Sequence, residues 1–352
     1  MFKYYRADTN NQEEYAFANG IVRKLERELI GRELMETLLK MKDITSALKV
    51  LNESDSFQSI FDITKPENFE STLNQELEHY HNIFKNISKV SPFNFLYFTF
   101  ASKYDFQNLK VIIKSKFLKK EVSDEMISNI YTIDPAKLIL AVYEEKYEDI
   151  PGSFKFLIKK TFTEYQKHKD PEKIDFVLDR ERFIMILNRI REVEIIEPEE
   201  PFLRRFIRIN IDLNNIINCI RAKIRGEKKS FIREFIVNEG EFKIEKIIDI
   251  FESPLTSWIE KLNNTDYKNL IEAGINAYQK NKSLMEIEKE KDNYILNFTK
   301  IGKYITFGIE PLIGFIVAKE NDVRNIRIIL SGIMNKISEN KLKERLRDTY
   351  EK

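Results

Sequence analysis

The sequence predicts an all-α protein, and three observations lead to that expectation. Glycine and proline number only 10 and 9 in 352 residues. That is roughly 3% each, against averages of about 7% and about 5%, and it leaves few left-handed positions and few turns. Apolar residues recur at spacings of three and four over long stretches, and no sustained strand alternation interrupts them.

Taken in order, the first helix is marked by Phe17, Ile21, Val22, Leu25 and Leu29, with Arg23, Lys24, Glu26 and Arg27 between them. Residues 174–196 and 342–350 follow the same rule. Proline-containing breaks fall at Lys65-Pro66, Ser91-Pro92, Asp134-Pro135, Ile150-Pro151, Asp170-Pro171, Glu197-Pro198 through Pro201, Ser253-Pro254 and Glu310-Pro311. They divide the chain into helix-sized pieces. Residues Phe93 to Phe100 and Phe307 to Val317 are apolar enough to be buried between units or to face a partner.

Composition excludes several function classes. A single cysteine rules out a disulfide framework and any cysteine-rich metal site. A net charge of +1 gives no overall attraction to nucleic acid or anionic lipid. The opening MFKYYRADTNNQEE has no apolar signal core. The most apolar stretch, Tyr304 to Ala318, is interrupted at Glu310-Pro311 and is shorter than the roughly 20 residues a spanning helix needs. A soluble protein of a reducing, cytoplasmic compartment is expected.

The most informative pattern is an internal repeat. KYDFQNLKVIIKSK carries Asp105 and Asn108, NIDLNNIINCIRAK carries Asp212 and Asn215, and ENDVRNIRIILSGI carries Asp322 and Asn325. The asparagines lie 107 and then 110 residues apart. An aromatic residue precedes each of them by 28, 32 and 31 positions: Tyr80, Phe183 and Tyr294. Three helical repeat units follow, with approximate boundaries 1–120, 121–236 and 237–352. Aspartate ahead of an apolar run is expected to cap a helix N-terminus, with the asparagine reaching back as in a capping box. The six residues are therefore expected to be structural rather than chemical.

Catalytic signatures are sparse. There is no Gly-x-Gly and no phosphate-cradling glycine loop. His79 and His81 stand two apart, on different faces of a helix, and are expected to be exposed. His168 lies in the polar run QKHKD without a nucleophile nearby, and Cys219 sits among Ile216, Ile217 and Ile220 as a small apolar filler. Asp179 and Glu181 are one acid pair among 57 acids and single out nothing. No catalytic residue, cofactor or metal is expected.

Charge is balanced in sum but segregated along the chain. Residues 203–233 hold nine basic and two acidic side chains, a net of +7. Residues 103–120 carry a net of +5, and 121–150 a net of −6. Such runs either neutralise one another or present basic helix faces to acidic partners, where they would set orientation and encounter rate.

Three stretches resemble the C-subunit family of V-type and A-type ATPases and ATP synthases, equivalent to the d-type protein of the eukaryotic V-ATPase. Tyr15-Ala-Phe-Ala-Asn19-Gly-Ile-Val-Arg23-Lys-Leu-Glu26 is similar to the family's N-terminal helix. Phe106-Gln-Asn-Leu-Lys110 and Arg221-Ala-Lys223 are similar to its Asn-Leu-Lys and Arg-Ala-Lys elements. The segment from Pro311 to Gly332, PLIGFIVAKENDVRNIRIILSG, resembles its closing signature almost residue for residue. Gly20, Val22, Asn210 and Ile333 depart from the family pattern.

The resemblance implies a funnel of three pseudo-threefold-related helical domains around a central cavity. It implies a non-catalytic adapter on the cytoplasmic face of the membrane, between a central shaft of D- and F-type proteins and a rotor ring of c/K-type proteolipids. Torque would pass through it, with no transmembrane segment and no nucleic acid involved. Candidate partner contacts are Arg204, Arg205 and Arg208 in the basic run, and Lys319 and Arg324 in the closing segment. The alternatives are a helical scaffold outside such a machine, disfavoured by a repeat far longer than common solenoid periods, and an RNA-binding protein. The latter is disfavoured because the basic run is interleaved with isoleucine rather than with stacking aromatics.

Overall fold

The computed structural model describes residues 12–90, 95–194 and 201–351. All regular structure among the described residues is helical, with no strand. The helices in chain order begin with α1 (Gln12–Leu25), α2 (Arg32–Leu39), α3 (Ile44–Asn52) and α4 (Phe69–Val90). They continue with α5 (Phe95–Leu118), α6 (Pro135–Tyr143), α7 (Gly152–His168), α8 (Pro171–Glu194), α9 (Pro201–Ile224) and α10 (Lys229–Phe235). The series closes with α11 (Ile244–Phe251), α12 (Trp258–Lys261), α13 (Lys268–Asn281), α14 (Met285–Thr299), α15 (Glu310–Met334) and α16 (Glu339–Arg345).

Proline acts as a helix starter rather than only as a breaker. Pro135, Pro171, Pro201 and Pro311 each fall in a first turn, where the missing N–H would have had no helical partner. Asp134 adds a side-chain cap, accepting from the Ala136 amide at 2.9 Å. The expected breaks at Ser91-Pro92 and Glu197-Pro198 lie outside the described residues.

The chain packs as two compact units. Unit 1 comprises residues 1–92, 201–210 and 249–352; unit 2 comprises residues 93–200 and 211–248. In unit 1, α15 is the central element and packs on α1, α3, α4 and α14. Every residue from Ile309 to Lys319 is buried, as an apolar segment without a polar face requires. Phe307 remains exposed.

In unit 2, α5 lies against α6 and α8, and α7 against α8. Phe106, Leu109, Ile112 and Ile113 of α5 meet Leu138, Val142, Phe154, Ile158 and Leu178 in one core. Each such side chain contributes roughly 1.5–3 kcal/mol on burial, so packing rather than helix propensity holds α5 in place. Phe231 and Phe235 of α10 close over Phe176 at ring distances of 5.1 and 5.9 Å.

The close approach of α13 and α14 in unit 1 depends on one small residue. A Cβ at Gly274 of α13 would lie 2.6 Å from Cβ of Ile287 on α14. Alanine gains about 1 kcal/mol over glycine in helix propensity, but overpacking costs about 1–3 kcal/mol. Gly274→Ala is therefore expected to lower the thermal midpoint of the chain, and a raised midpoint would show that α13 and α14 can separate freely.

Candidate functional site

The three repeat motifs build one arrangement three times. Asn108 donates from Nδ2 to the carbonyl of Ser128 at 3.0 Å and accepts the amide of the same residue at 2.8 Å. Asn215 makes the identical pair with Val237, at 2.9 and 3.1 Å. Asn325 makes it with Arg347, at 3.1 and 2.9 Å. A carboxamide has both a donor and an acceptor edge, so it can stand in for a strand neighbour to one remote residue. The partner lies 20 residues on in the first case and 22 in the others.

One turn earlier, each aspartate accepts backbone amides. Asp105 takes those of Thr132 and Ile133 at 2.8 and 3.2 Å, together with the Thr132 hydroxyl. Asp212 takes those of Glu241 and Phe242, each at 3.0 Å. Asp322 takes the amide of Ile30 at 2.9 Å, across 292 residues of sequence. The segments so held run directly into α6, α11 and α2 respectively. A Cβ at Gly240 would lie 1.8 Å from Oδ1 of Asp212, so glycine is required where this backbone comes closest.

The helix-capping expectation is corrected by this geometry. All six residues lie within α5, α9 and α15 rather than at their N-termini. All six are buried, and they hold other segments rather than their own helix. The partner of each is long-range backbone.

Unit 1 adds a buried charge cluster to the third lock. The Lys319 ammonium lies 3.1 Å from Oε1 of Glu76, with neither side chain exposed. It donates to the carbonyls of Ser56 at 2.7 Å and Glu28 at 3.3 Å, and stands 4.1 Å from the Tyr80 ring centroid. Glu76 in turn accepts the amides of Gln58 and Ser59, and the Tyr80 hydroxyl donates to Glu28. Burying an ion pair is costly unless its remaining hydrogen-bond capacity is filled, as it is here.

The N-terminal motif belongs to the same unit. Asn19 donates to the carbonyl of Gly308 at 3.1 Å, and Arg23 donates to those of Gly302 and Ile305 at 2.7 and 2.5 Å. His81, expected to be exposed, is instead buried, with Nε2 3.0 Å from Oε1 of Glu320. The reason is register: His81 falls on the buried side of α4, whereas His79 is less enclosed. Cys219 is buried as expected, and burial raises its thiol well above the usual range.

The candidate partner residues fall in different surroundings. Lys319 is fully buried and engaged within unit 1. Arg324 is half-buried and ion-paired with Asp292 at 2.8 Å, which Arg347 also approaches at 3.1 Å. Arg204 and Arg205 are half-buried on α9, the latter over the Phe298 ring at 5.7 Å, and Arg208 is exposed. In the second basic run, Lys110 and Lys114 pair with Asp179 and Asp175 of α8 at 2.5 and 2.6 Å.

Glu76, Glu28 and Asp179 are hydrogen-bond and ion-pair partners that the sequence does not single out. For Glu76 a signal exists: it sits on the apolar stripe of α4, three residues after Leu73 and four before Tyr80. Glu28 and Asp179 carry no comparable mark.

The whole-chain comparisons agree with these local features. The model of the ATP synthase (C/AC39) subunit family matches residues 18–345. The chain belongs to that family. Among its relatives, the C subunit of the V-type sodium ATPase of Enterococcus hirae is 26% identical over 339 residues, covering 96% of this chain and 99% of that protein. The C subunit of the A-type ATP synthase of Methanocaldococcus jannaschii is 24% identical over 333 residues, covering 90% and 82%. Its counterpart in the A-type ATP synthase of Thermococcus kodakarensis is 22% identical over 344 residues, covering 94% and 89%. The chain is thus a non-catalytic component of the rotary ATPase type. No helix among the described residues is long and apolar enough to cross a membrane.

Two lock carboxyls titrate within reach of neutral pH. Burial pushes Asp105 up to about 6 against three hydrogen bonds that favour its charge. Burial likewise raises Asp322 to about 7, opposed by Lys319 and the Ile30 amide. A folded value above the ordinary 3.8 means that the folded chain keeps a proton the unfolded chain has lost. The stabilising contribution is full below about 4 and disappears as pH rises through about 7. Asp322→Asn keeps an acceptor for Ile30 but removes this titration. The variant is expected to gain stability relative to the parent chain between pH 5 and 8 in denaturant unfolding, and a pH-independent difference would contradict the assignment.

Proposed function

We propose that this chain is the central-stalk adapter of a rotary V/A-type ATPase, seating the soluble shaft on the proteolipid rotor ring and passing torque between them. It would act on the cytoplasmic face of the membrane, with D- and F-type shaft proteins on one side and the c/K ring on the other. Family membership supports this reading directly.

The observation that carries the architecture is the order of the locks. With repeat boundaries near 120 and 236, the first aspartate ties the end of the first repeat to the start of the second. The second aspartate ties the second repeat to the third. The third reaches back from α15 to Ile30, near the start of the chain. Three such ties, two within unit 2 and one within unit 1, are compatible with the three-domain funnel we propose. The asparagine pairs, buried with donor and acceptor both filled, also suit a part that must not deform under load.

The exposed charge on α9 is the best candidate for partner contact. Arg208 faces solvent, and Arg204 and Arg205 lie one turn before it. A rim of this kind sets orientation and encounter, and salt weakens it. Combined reversal by Arg204→Glu, Arg205→Glu and Arg208→Glu is expected to cut recovery of the assembled complex roughly tenfold at low salt, on the order of 1.4 kcal/mol, while the isolated chain stays folded. Unchanged recovery across a salt series would remove these arginines from the interface.

A further inference from the structure

The three locks differ in one respect that bears on how the fold opens. The first two close loops of 27 to 30 residues, and each is made to an uninterrupted stretch of the same chain. The third joins residues 292 apart and is made to a short segment near the chain start. Leu29 and Ile30 of that segment are buried. It is held by a line of separate ties: the Lys319 ammonium and the Tyr80 hydroxyl on Glu28, Asp322 on the Ile30 amide, and the Glu351 carboxylate on the Arg32 amide at 3.2 Å. Among the described residues, one backbone amide reaches Asp322, whereas two reach each of Asp105 and Asp212.

We propose that residues 26–32 form a releasable strap, a latch between the two ends of the chain at which unit 1 opens while the rest of the protein stays folded. The physical basis is the balance of contacts. Long-range closure requires the remainder of unit 1 to be in place first, so the strap docks last. Short segments that dock last, here through two buried apolar side chains and a few polar ties, are the ones that open sub-globally, below the free energy of global unfolding. The strap's anchors on α15 and at Glu351 are side chains, so it can lift without breaking the hydrogen-bond ladder of α15. The inference uses unit 1 alone and holds whether or not the chain forms a funnel.

Hydrogen exchange on the full-length chain, read by mass spectrometry, tests it. After correction for intrinsic rates, the peptide covering residues 26–32 is expected to exchange at least tenfold faster than those covering 128–134 and 237–243. Asp322→Ala is expected to raise that exchange by about another tenfold and leave the other two peptides unchanged. A Gly31→Cys, Glu351→Cys pair joined by a short bis-maleimide is expected to bring the strap down to their level, since position 31 abuts the Glu351 side chain. One common rate for all three peptides in the parent chain would overturn the proposal. So would an Asp322→Ala chain that cannot be recovered folded, because a released strap leaves the remainder intact.

Discussion

A buried asparagine that pairs with both the N–H and the C=O of one distant residue is the interaction on which this structure rests. Helices leave no backbone group free along their middle, so a helix can hold a non-helical segment only through side chains. Charged side chains offer one kind of hydrogen bond; a carboxamide offers both in one plane. Asn108, Asn215 and Asn325 use that property at the same place in three long helices; the aspartate one turn earlier extends the grip along the held segment in the first two and takes a separate segment, at Ile30, in the third. The segments gripped by the aspartates lead into α6, α11 and α2, which places the next group of helices. Without the asparagine pair, each partner residue would lose two hydrogen bonds, at about 1–3 kcal/mol for each group left unsatisfied.

The arrangement separates two uses of charge. Inside unit 1, Lys319 and Glu76 are held by fixed partners, and their removal from water is offset by ion pairing and hydrogen bonds. On α9, Arg208 is open to solvent, and its energy is accordingly small, salt-sensitive and suited to recognition. The adapter role we propose would call for both: interior polar groups with fixed partners, and surface charges that orient partners without rigid geometry. Dense aromatic packing, such as Phe202 stacked on Phe298 at 4.9 Å, adds stiffness between the polar ties.

Much of this is legible in the sequence, and what is hidden has a physical cause. Helical class follows from spacing and from scarce glycine and proline, because those features act locally. The Asp-x-x-Asn repeat is visible because three copies make a pattern. Its role is not, since each side chain's partner lies 20 to 30 or even 292 residues away, and local capping is the nearest alternative. Lys319 shows the same difficulty: a lysine in a motif reads as surface charge until its surroundings are known. His81 reads as exposed from its polar neighbours, although its position on α4 turns it inward toward Glu320.

The structural role of the asparagines is tested most directly by equilibrium unfolding of three single variants of the isolated chain, Asn108→Ala, Asn215→Ala and Asn325→Ala, compared with recovery of the assembled complex at matched folded concentration. If the asparagines hold the fold, each variant should lose about 2–3 kcal/mol of stability, while folded molecules assemble as well as the parent. Stability within about 0.5 kcal/mol of the parent in all three, accompanied by lost assembly, would contradict it and assign these residues to a partner instead.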